Sequence, residues 1–370
     1  MNQHEQFMQL ALRLARRAYG CTSPNPMVGA VLVKGDKVIG QGWHRRAGEP
    51  HAEIEALRDA QRKGDSVRGA TLYVTLEPCC THGRTPPCTD ALQAAGIRRV
   101  VVAATDPNPA HAGRAYRILK RAGIDVTHGV LADEATQLNE AFNHWIVHRT
   151  PFVTLKSAMT LDGKIATASG ESKWITGEPA RAQGMKLRQG SDAILVGINT
   201  VLHDDPSLTF RSATAAKPSP RQPRRIILDS LARTPLKAKV VTDDARSLTT
   251  IVTTKRAPAN RLAALARQVD VVIAPERSGH IDLRWLLRWL GGEQVTSVLV
   301  EGGGEVAGSF IEQRLAQRIA FFYAPKILGG RDSRRAVAGN GATSQAEVTR
   351  LRDVDWQRVG ADLLLTARIA

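Results

Sequence analysis

Apolar and polar positions along the chain switch repeatedly between two periods. Phe7, Leu10, Ala11 and Leu14 recur at helical spacing and predict an amphipathic helix over 4–18. Val28–Val33 and Val38–Trp43 are strand-like runs joined by Lys34-Gly35-Asp36-Lys37, where glycine supplies the backbone freedom of a tight hairpin turn. A helix from about His51 to Gln61, a strand Thr71–Leu76, a helix from about Cys88 to Ala95 and a strand Arg99–Ala103 come next. A helix near 112–122, a short strand near Ile124–Thr127 and a helix over 132–147 complete this part. Strands alternating with helices predict a three-layer α/β/α sheet domain.

Around His148-Arg149-Thr150-Pro151 the pattern resets, which places a domain boundary between 1–148 and 149–370. The second part begins with a strand Phe152–Ser157 and continues with a helix over 179–190, a strand Ala193–Val196, a loop His203–Arg211 and a strand Arg225–Leu228. Residues 212–223, rich in Pro, Ser and Arg, predict an exposed loop. Ser297–Glu301 is an apolar strand, Gly302-Gly303-Gly304 carries no side chains, and Glu305–Gln313 predicts a helix. Such a loop lets backbone N–H groups approach a pyrophosphate at a helix N-terminus. Gly302-x-Gly304-x-x-Ala307 fits the dinucleotide fingerprint, but no acidic residue follows about twenty positions on, so a nucleotide-phosphate loop is read rather than a Rossmann unit. A tight structural connection is the plainer alternative.

Composition sets bounds on this picture. At 370 residues, 43% apolar and 23% charged, the chain is an ordinary globular protein of two domains with no run long enough to span a membrane. Glu5 and the lack of a long apolar stretch argue against a signal peptide, so a cytoplasmic location is expected. Net charge is +16, with 19 Lys/Arg against 14 Asp/Glu in residues 1–150 and 32 against 21 beyond. A basic chain invites a nucleic-acid reading. The basic residues occur as scattered pairs such as Arg98-Arg99, Arg224-Arg225 and Arg334-Arg335, however, and aromatics are only 5%, so a solvated surface accounts for most of the excess.

The chemistry concentrates between residues 51 and 88. His51, Cys79 and Cys88 have the types that hold zinc, three protein ligands leave a fourth position for water, and Glu53 is placed to carry protons beside the metal. His51-x-Glu53 and Pro78-Cys79 fit the pattern of zinc-dependent nucleobase deaminases. The second cysteine departs from it: His82 stands at the expected position, and the next usable thiol is Cys88, beyond the eight residues Cys80 to Pro87. His51 falls at a helix start, and Cys79 and Cys88 bracket another, where helix N-termini favour thiolate. A structural zinc site with a solvated Glu53 is the alternative, and it would need His82 or Cys80 as fourth ligand. Cys21 and Cys80 are otherwise spare thiols. Asn25, between Pro24 and Pro26, reads as a turn residue.

The loop from Glu77 to Cys88, with His82-Gly83-Arg84-Thr85-Pro86-Pro87-Cys88, resembles the deaminase domain of the bifunctional riboflavin-biosynthesis deaminase/reductase family, as do Ser23–Gly29 and Arg46–Glu53. The run Ala158–Ala166 and the segment Ser169–Thr176 are similar to the reductase half of that family. The resemblance covers essentially the whole chain. It implies a cytidine-deaminase-like N-terminal domain followed by a dihydrofolate-reductase-like α/β domain. It implies one Zn2+ on His51, Cys79 and Cys88 with Glu53 catalytic, and Asn25 on the substrate. In the second half it implies Ser172, Arg188, Leu208, Arg211 and Glu301 around a ribosyl phosphate, with Arg188 and Arg211 able to grip phosphate as planar forks. NADPH would be met by Ala158, Trp174, Thr200, Asp204, Ser230, Gly303 and Gly304, with Lys156 and Asp204 nearest the chemistry.

The implied activity is hydrolytic removal of the 2-amino group of a diaminopyrimidinone ribosyl phosphate, then hydride delivery from NADPH to the ribose C1′. The implied partner is this small phosphorylated pyrimidine, with no nucleic acid and no membrane, in a homo-oligomer (dimer or tetramer). A nucleic-acid cytosine or adenine deaminase would share the zinc site and use the basic half to hold RNA. A non-catalytic zinc-stabilised module would tolerate loss of Glu53.

Overall fold

The computed structural model describes residues 2–81, 86–211 and 221–370. Among these the chain forms two compact units, one up to Arg149 and one from Thr150 onward.

The first unit runs α1 (Gln3–Arg16), β1 (Gly29–Lys34), β2 (Lys37–Trp43), α2 (Ala52–Arg62), β3 (Thr71–Leu76), α3 (Cys88–Ala94), β4 (Arg99–Ala104), α4 (Arg114–Arg121), β5 (Asp125–His128), α5 (Ala132–Leu138) and α6 (Glu140–His148). Its sheet has the order β2-β1-β3-β4-β5, with β1 antiparallel to both neighbours and β3, β4 and β5 parallel. Side chains alternate between the faces. Leu32, Leu72, Val74 and Val102 pack with Ala56 of α2, Leu92 of α3 and Leu119 of α4. Val31, Val33, Tyr73 and Val101 pack with Met8 and Leu12 of α1 and Ala135 of α5. This is the expected three-layer sandwich. Gly40 and Gly42 of β2 lie against α2: a Cβ on Gly42 would strike the Ala56 nitrogen and the Ala52 carbonyl, so glycine lets α2 sit this close to the sheet.

The single helix expected over 132–147 is instead two. Asn139 leaves the helical conformation (φ −113°, ψ 24°), accepts from the Met27 N–H at 2.8 Å and donates to the Met27 carbonyl at 2.9 Å. An asparagine side chain that satisfies backbone groups elsewhere competes with helix continuity, and here it wins.

The second unit starts with β6 (Phe152–Thr160), β7 (Lys164–Ala166), α7 (Glu178–Gln189), β8 (Ala193–Gly197), α8 (Ile198–Asp204), β9 (Arg224–Leu228), α9 (Lys239–Thr242), β10 (Thr249–Thr253), α10 (Ala259–Ala266) and β11 (Asp270–Ile273). A ribbon of β12 (Glu276–Arg277) and β13 (His280–Ile281) leads to α11 (Leu283–Gly292), β14 (Ser297–Val300), α12 (Gly304–Glu312), β15 (Arg318–Ala324), β16 (Arg334–Arg335), β17 (Leu351–Val359) and β18 (Asp362–Ile369). The nine-stranded sheet has the order β11-β10-β9-β8-β14-β6-β15-β18-β17, parallel from β11 to β15 and antiparallel over the last two. Val153, Leu195, Ile226 and Val298 on one face pack with Leu286 and Leu290 of α11 and Phe310 of α12; Ile194, Ile227 and Ile251 on the other pack with Val201, Val240 and Leu265. Parallel strands put their carboxyl ends on one edge, where open α/β sheets bind ligands.

Three expectations shift here. The loop expected from His203 begins at Asp205, because α8 runs through Asp204. Of the stretch 212–223, residues 212–220 lie outside the described residues; Arg221 and Gln222 are exposed and Pro223 is buried. The pair Arg224-Arg225 is not a surface pair, since Arg225 is wholly buried.

Candidate active sites

In the first unit α2 follows β2 and α3 follows β3, two strands separated in the sheet only by β1. His51 is the N-cap residue of α2 and Cys88 the first residue of α3, so both project from helix N-termini. His51 Nδ1 lies 3.3 Å from Cys88 Sγ and 3.4 Å from Cys79 Sγ, and the three ligand atoms fall within 4.8 Å of one another. The Cys88 backbone N–H donates to Cys79 Sγ at 3.2 Å. Interactions with Cys88 and His51 outweigh burial and hold the Cys79 thiol down at about 4, while the neighbouring Cys79 and burial push Cys88 up. Two adjacent thiols cannot both ionise without a cation between them. A soft nitrogen and two sulfurs converging in this way fit zinc. Among the described residues no other such cluster occurs, and Cys80 stands outside it; His82 lies outside the described residues.

Glu53 is on the first turn of α2 and only 3% exposed. Burial raises its carboxyl above the ordinary range, and Cys79 adds to the rise. Asn25 Nδ2 lies 3.0 Å from His44 Nε2, whose Nδ1 lies 3.1 Å from the Pro50 carbonyl. Burial lowers the His44 pKa. A neutral ring fits both contacts, with Nδ1–H donated to Pro50 and Nε2 accepting from Asn25. Its ring meets that of His51 edge-on, 5.4 Å between centroids. His44 was not singled out by the sequence; its one signal is its place directly after a strand that ends at the site. Glu77 was read only as the start of Glu77-Pro78-Cys79. Its carboxylate accepts from the N–H groups of Asp106, Gly113 and Ala115 at 3.2, 2.9 and 2.9 Å and so ties the turn before α4 to the cysteine segment.

The second unit holds a cavity of about 1640 Å³, lined by every residue singled out in that half of the chain. Lys156 and Ala158 come from β6, Arg188 from α7, Thr200 and Asp204 from α8, and Ser230 from the turn after β9. Ser172, Trp174, Leu208 and Arg211 come from connecting segments, and Glu301, Gly303 and Gly304 from the end of β14 and the start of α12. Glu301 is the electrostatic centre. Burial pushes its carboxyl up, but Lys156 at 3.7 Å and Arg188 outweigh burial and bring it to about 2. Arg188 donates from Nε and Nη2 to the two Glu301 oxygens at 2.7 and 2.9 Å, and from Nη1 to the Thr209 carbonyl at 3.0 Å. The arginine fork expected to face a phosphate is therefore turned onto Glu301. Arg211 is exposed at the rim.

Asp204 Oδ1 accepts from Ser172 Oγ at 2.8 Å, and the Asp204 carbonyl accepts from Lys173 Nζ at 3.2 Å. The Trp174 indole is 67% exposed, with the Arg181 guanidinium 4.9 Å from its centroid. The three glycines differ in role. A Cβ on Gly304 would strike the Arg335 carbonyl and one on Gly302 would press on Val306, whereas Gly303 faces open space. Two are thus required by packing, and one leaves backbone free for a ligand.

Residues 151–365 match the model of the RibD C-terminal domain, and residues 1–104 match that of the cytidine and deoxycytidylate deaminase zinc-binding region. The riboflavin biosynthesis protein RibD of Aquifex aeolicus is 44% identical over 97% of this chain and 96% of its own. That of Escherichia coli is 42% identical over 98% of both. The chain belongs to the RibD family. A solved RibD structure from Acinetobacter baumannii superposes with a TM-score of 0.89 at 38% identity, over 100% of this chain and 99% of that one. The Thermotoga maritima deaminase/reductase does so with a TM-score of 0.85 at 36%, with the same coverage. The two units are accordingly a cytidine-deaminase-like domain and the dihydrofolate-reductase-like domain of RibD proteins.

Proposed function

We propose that the chain performs two steps of riboflavin biosynthesis, with residues 1–148 as a zinc-dependent deaminase and 149–370 as an NADPH-dependent reductase. The observation that carries this reading is the coexistence of a three-ligand cluster beside a buried, non-ligand Glu53 with a separate cavity large enough for a dinucleotide and a sugar phosphate.

In the first step water replaces the 2-amino group of 2,5-diamino-6-(5-phosphoribosylamino)pyrimidin-4(3H)-one, releasing ammonia. His51, Cys79 and Cys88 would hold the zinc, which when bound supplies a Lewis acid that lets water ionise near neutral pH. Glu53, shielded from bulk water, would take a proton from the attacking water and pass it to the leaving nitrogen. Asn25, oriented by His44, meets the pyrimidine.

In the second step the ribosyl side chain is reduced at C1′, giving 5-amino-6-(5-phosphoribitylamino)uracil. The nicotinamide supplies the hydride and the protein supplies orientation and charge. Lys156 and Asp204 are the groups nearest the reacting end. Ala158, Trp174, Thr200, Ser230, Gly303 and Gly304 would meet NADPH. Ser172, Leu208, Arg211, Glu301 and the remaining edge of Arg188 would meet the ribosyl phosphate.

A nucleic-acid deaminase is disfavoured because two of the arginines that make the second half basic, Arg188 and Arg225, are turned inward. Four free thiols suit a reducing, cytoplasmic setting. The edge strand β17, with Val354 and Trp356 half exposed, supports self-association, which light scattering would read directly.

The test is a split assay on zinc-loaded protein that records ammonia release and NADPH consumption separately, with Glu53→Ala alongside. Glu53→Ala is expected to abolish both signals on the diaminopyrimidinone and to spare reduction of the deaminated intermediate. Ammonia release from RNA, with none from the pyrimidine, would sink the reading.

A further inference from the structure

Arg225 is a fully buried arginine with a bond from each nitrogen. Nε donates to Thr249 Oγ1 at 2.8 Å, Nη1 to Asp243 Oδ2 at 2.7 Å and to the Ser207 carbonyl at 2.9 Å, and Nη2 to Asp243 Oδ1 at 2.8 Å and to the Val240 carbonyl at 3.1 Å. A charge buried this deeply persists only when paired and fully hydrogen-bonded, and five bonds match its five donors. Apolar residues of the same volume would fill a core, so the question is what the guanidinium holds.

It holds one wall of the reductase cavity. Ser207, Leu208 and Thr209 all line that cavity. Leu208 has φ +48°, a left-handed conformation that strains a non-glycine residue and needs neighbours to hold it. The carbonyls on either side of it are both gripped by arginines, Ser207 by the buried Arg225 and Thr209 by the partly buried Arg188. Each arginine is fixed by a bidentate carboxylate, Asp243 and Glu301. Asp205, two residues before Ser207, is anchored separately by the Lys239 N–H at 2.8 Å, and Phe210 by the Gln222 side chain at 2.9 and 2.7 Å.

We propose that Arg225, braced by Asp243, is a positioning residue for the reductase step: it holds the strained Leu208 turn that forms the ribosyl-phosphate side of the cavity, without touching substrate. This rests on the reading of that cavity given above.

The test compares wild type with Arg225→Lys, and with Asp243→Asn in case the lysine variant does not fold. Two readouts are taken: hydrogen exchange of a peptide spanning 205–211, and steady-state reduction of the deaminated ribosyl phosphate. Both variants are expected to speed exchange over 205–211, by about tenfold or more in Arg225→Lys, while β10 keeps its protection. KM for the ribosyl phosphate should rise about tenfold with kcat changed less than about threefold. KM for NADPH and ammonia release should stay within about twofold of wild type. Unchanged exchange overturns the proposal. So does an unchanged KM with kcat falling only as folded protein is lost, which marks a purely structural arginine. Faster exchange with no NADPH consumption by wild type itself overturns the reading of the cavity, and the proposal with it.

Discussion

The two sites balance their charge in opposite ways. In the first unit, His51 and Cys88 at helix starts and Cys79 in the segment after β3 bring two thiols together, and the pair cannot ionise fully without an external cation. In the second, Glu301 is ionised by cations the chain provides, Lys156 and Arg188. One site is thus incomplete without a metal, and the other is electrostatically closed before any ligand arrives. The first should respond to metal and the second to the loss of one internal partner.

The largest expected effect follows from removing the metal or a ligand. Chelation, or Cys79→Ser, should cut ammonia release by at least about 10⁴-fold, since the acceleration depends on ionised water at the cluster. Reduction of the deaminated intermediate should continue at its normal rate. Parallel NADPH-consumption and ammonia assays on chelated protein read both, and a reductase that falls together with the deaminase breaks the comparison.

The next effect belongs to Glu301→Gln, which leaves Lys156 and Arg188 beside a neutral amide. Breaking a buried pair from one side costs about 3–5 kcal/mol, and kcat/KM for reduction should drop roughly 100-fold with deamination unchanged. The sign with pH follows from the depressed carboxyl. Its folded value of about 2 lies below the ordinary 4.5, so its contribution is fully present above the ordinary value and is lost as pH falls through about 2. Between pH 8 and pH 5 this group therefore adds no slope to the stability of the second unit. Thermal melts of wild type and Glu301→Gln should differ by a constant amount across that range, and a gap that closes by pH 5 would contradict the assignment.

How legible each site was follows from the same contrast. The metal ligands lie within a stretch of thirty-eight residues, and each sits where a strand ends or a helix starts, so types and spacing suffice to find them. His44 escaped because its role arises from burial and from Asn25 and Pro50, none of which a lone histidine announces. In the second unit the residues span Lys156 to Gly304 and meet only because parallel strands carry their ends to one edge. There the family resemblance picked them out, and local pattern found only the glycine loop of Gly303 and Gly304. Pattern also missed that Arg188 faces a carboxylate and that Arg225 is internal, since a sequence shows an arginine's charge but not its partner. Elements were legible wherever period and turn residues agreed, as at β3, and failed where a tertiary bond decided.

Asn139 is the clearest such failure, and it supplies the smallest predicted effect. The polar pattern over 132–147 is compatible with one helix, but the Asn139 side chain pairs with both backbone groups of Met27, two residues from Asn25. Asn139→Ala leaves the partly buried N–H and carbonyl of Met27 without these bonds, at about 1 kcal/mol for each. Alanine is also the better helix former, so it favours the continuous helix that the native fold rejects. The first unit should melt several degrees lower, since about 1 kcal/mol shifts a domain of this size by roughly 2–8 °C. KM for deamination should rise about threefold as the Asn25 turn loosens, with the reductase unaffected. A melt that does not move would mean that the 27–139 contact is incidental, and that α5 and α6 are parted by something other than the bond to Met27.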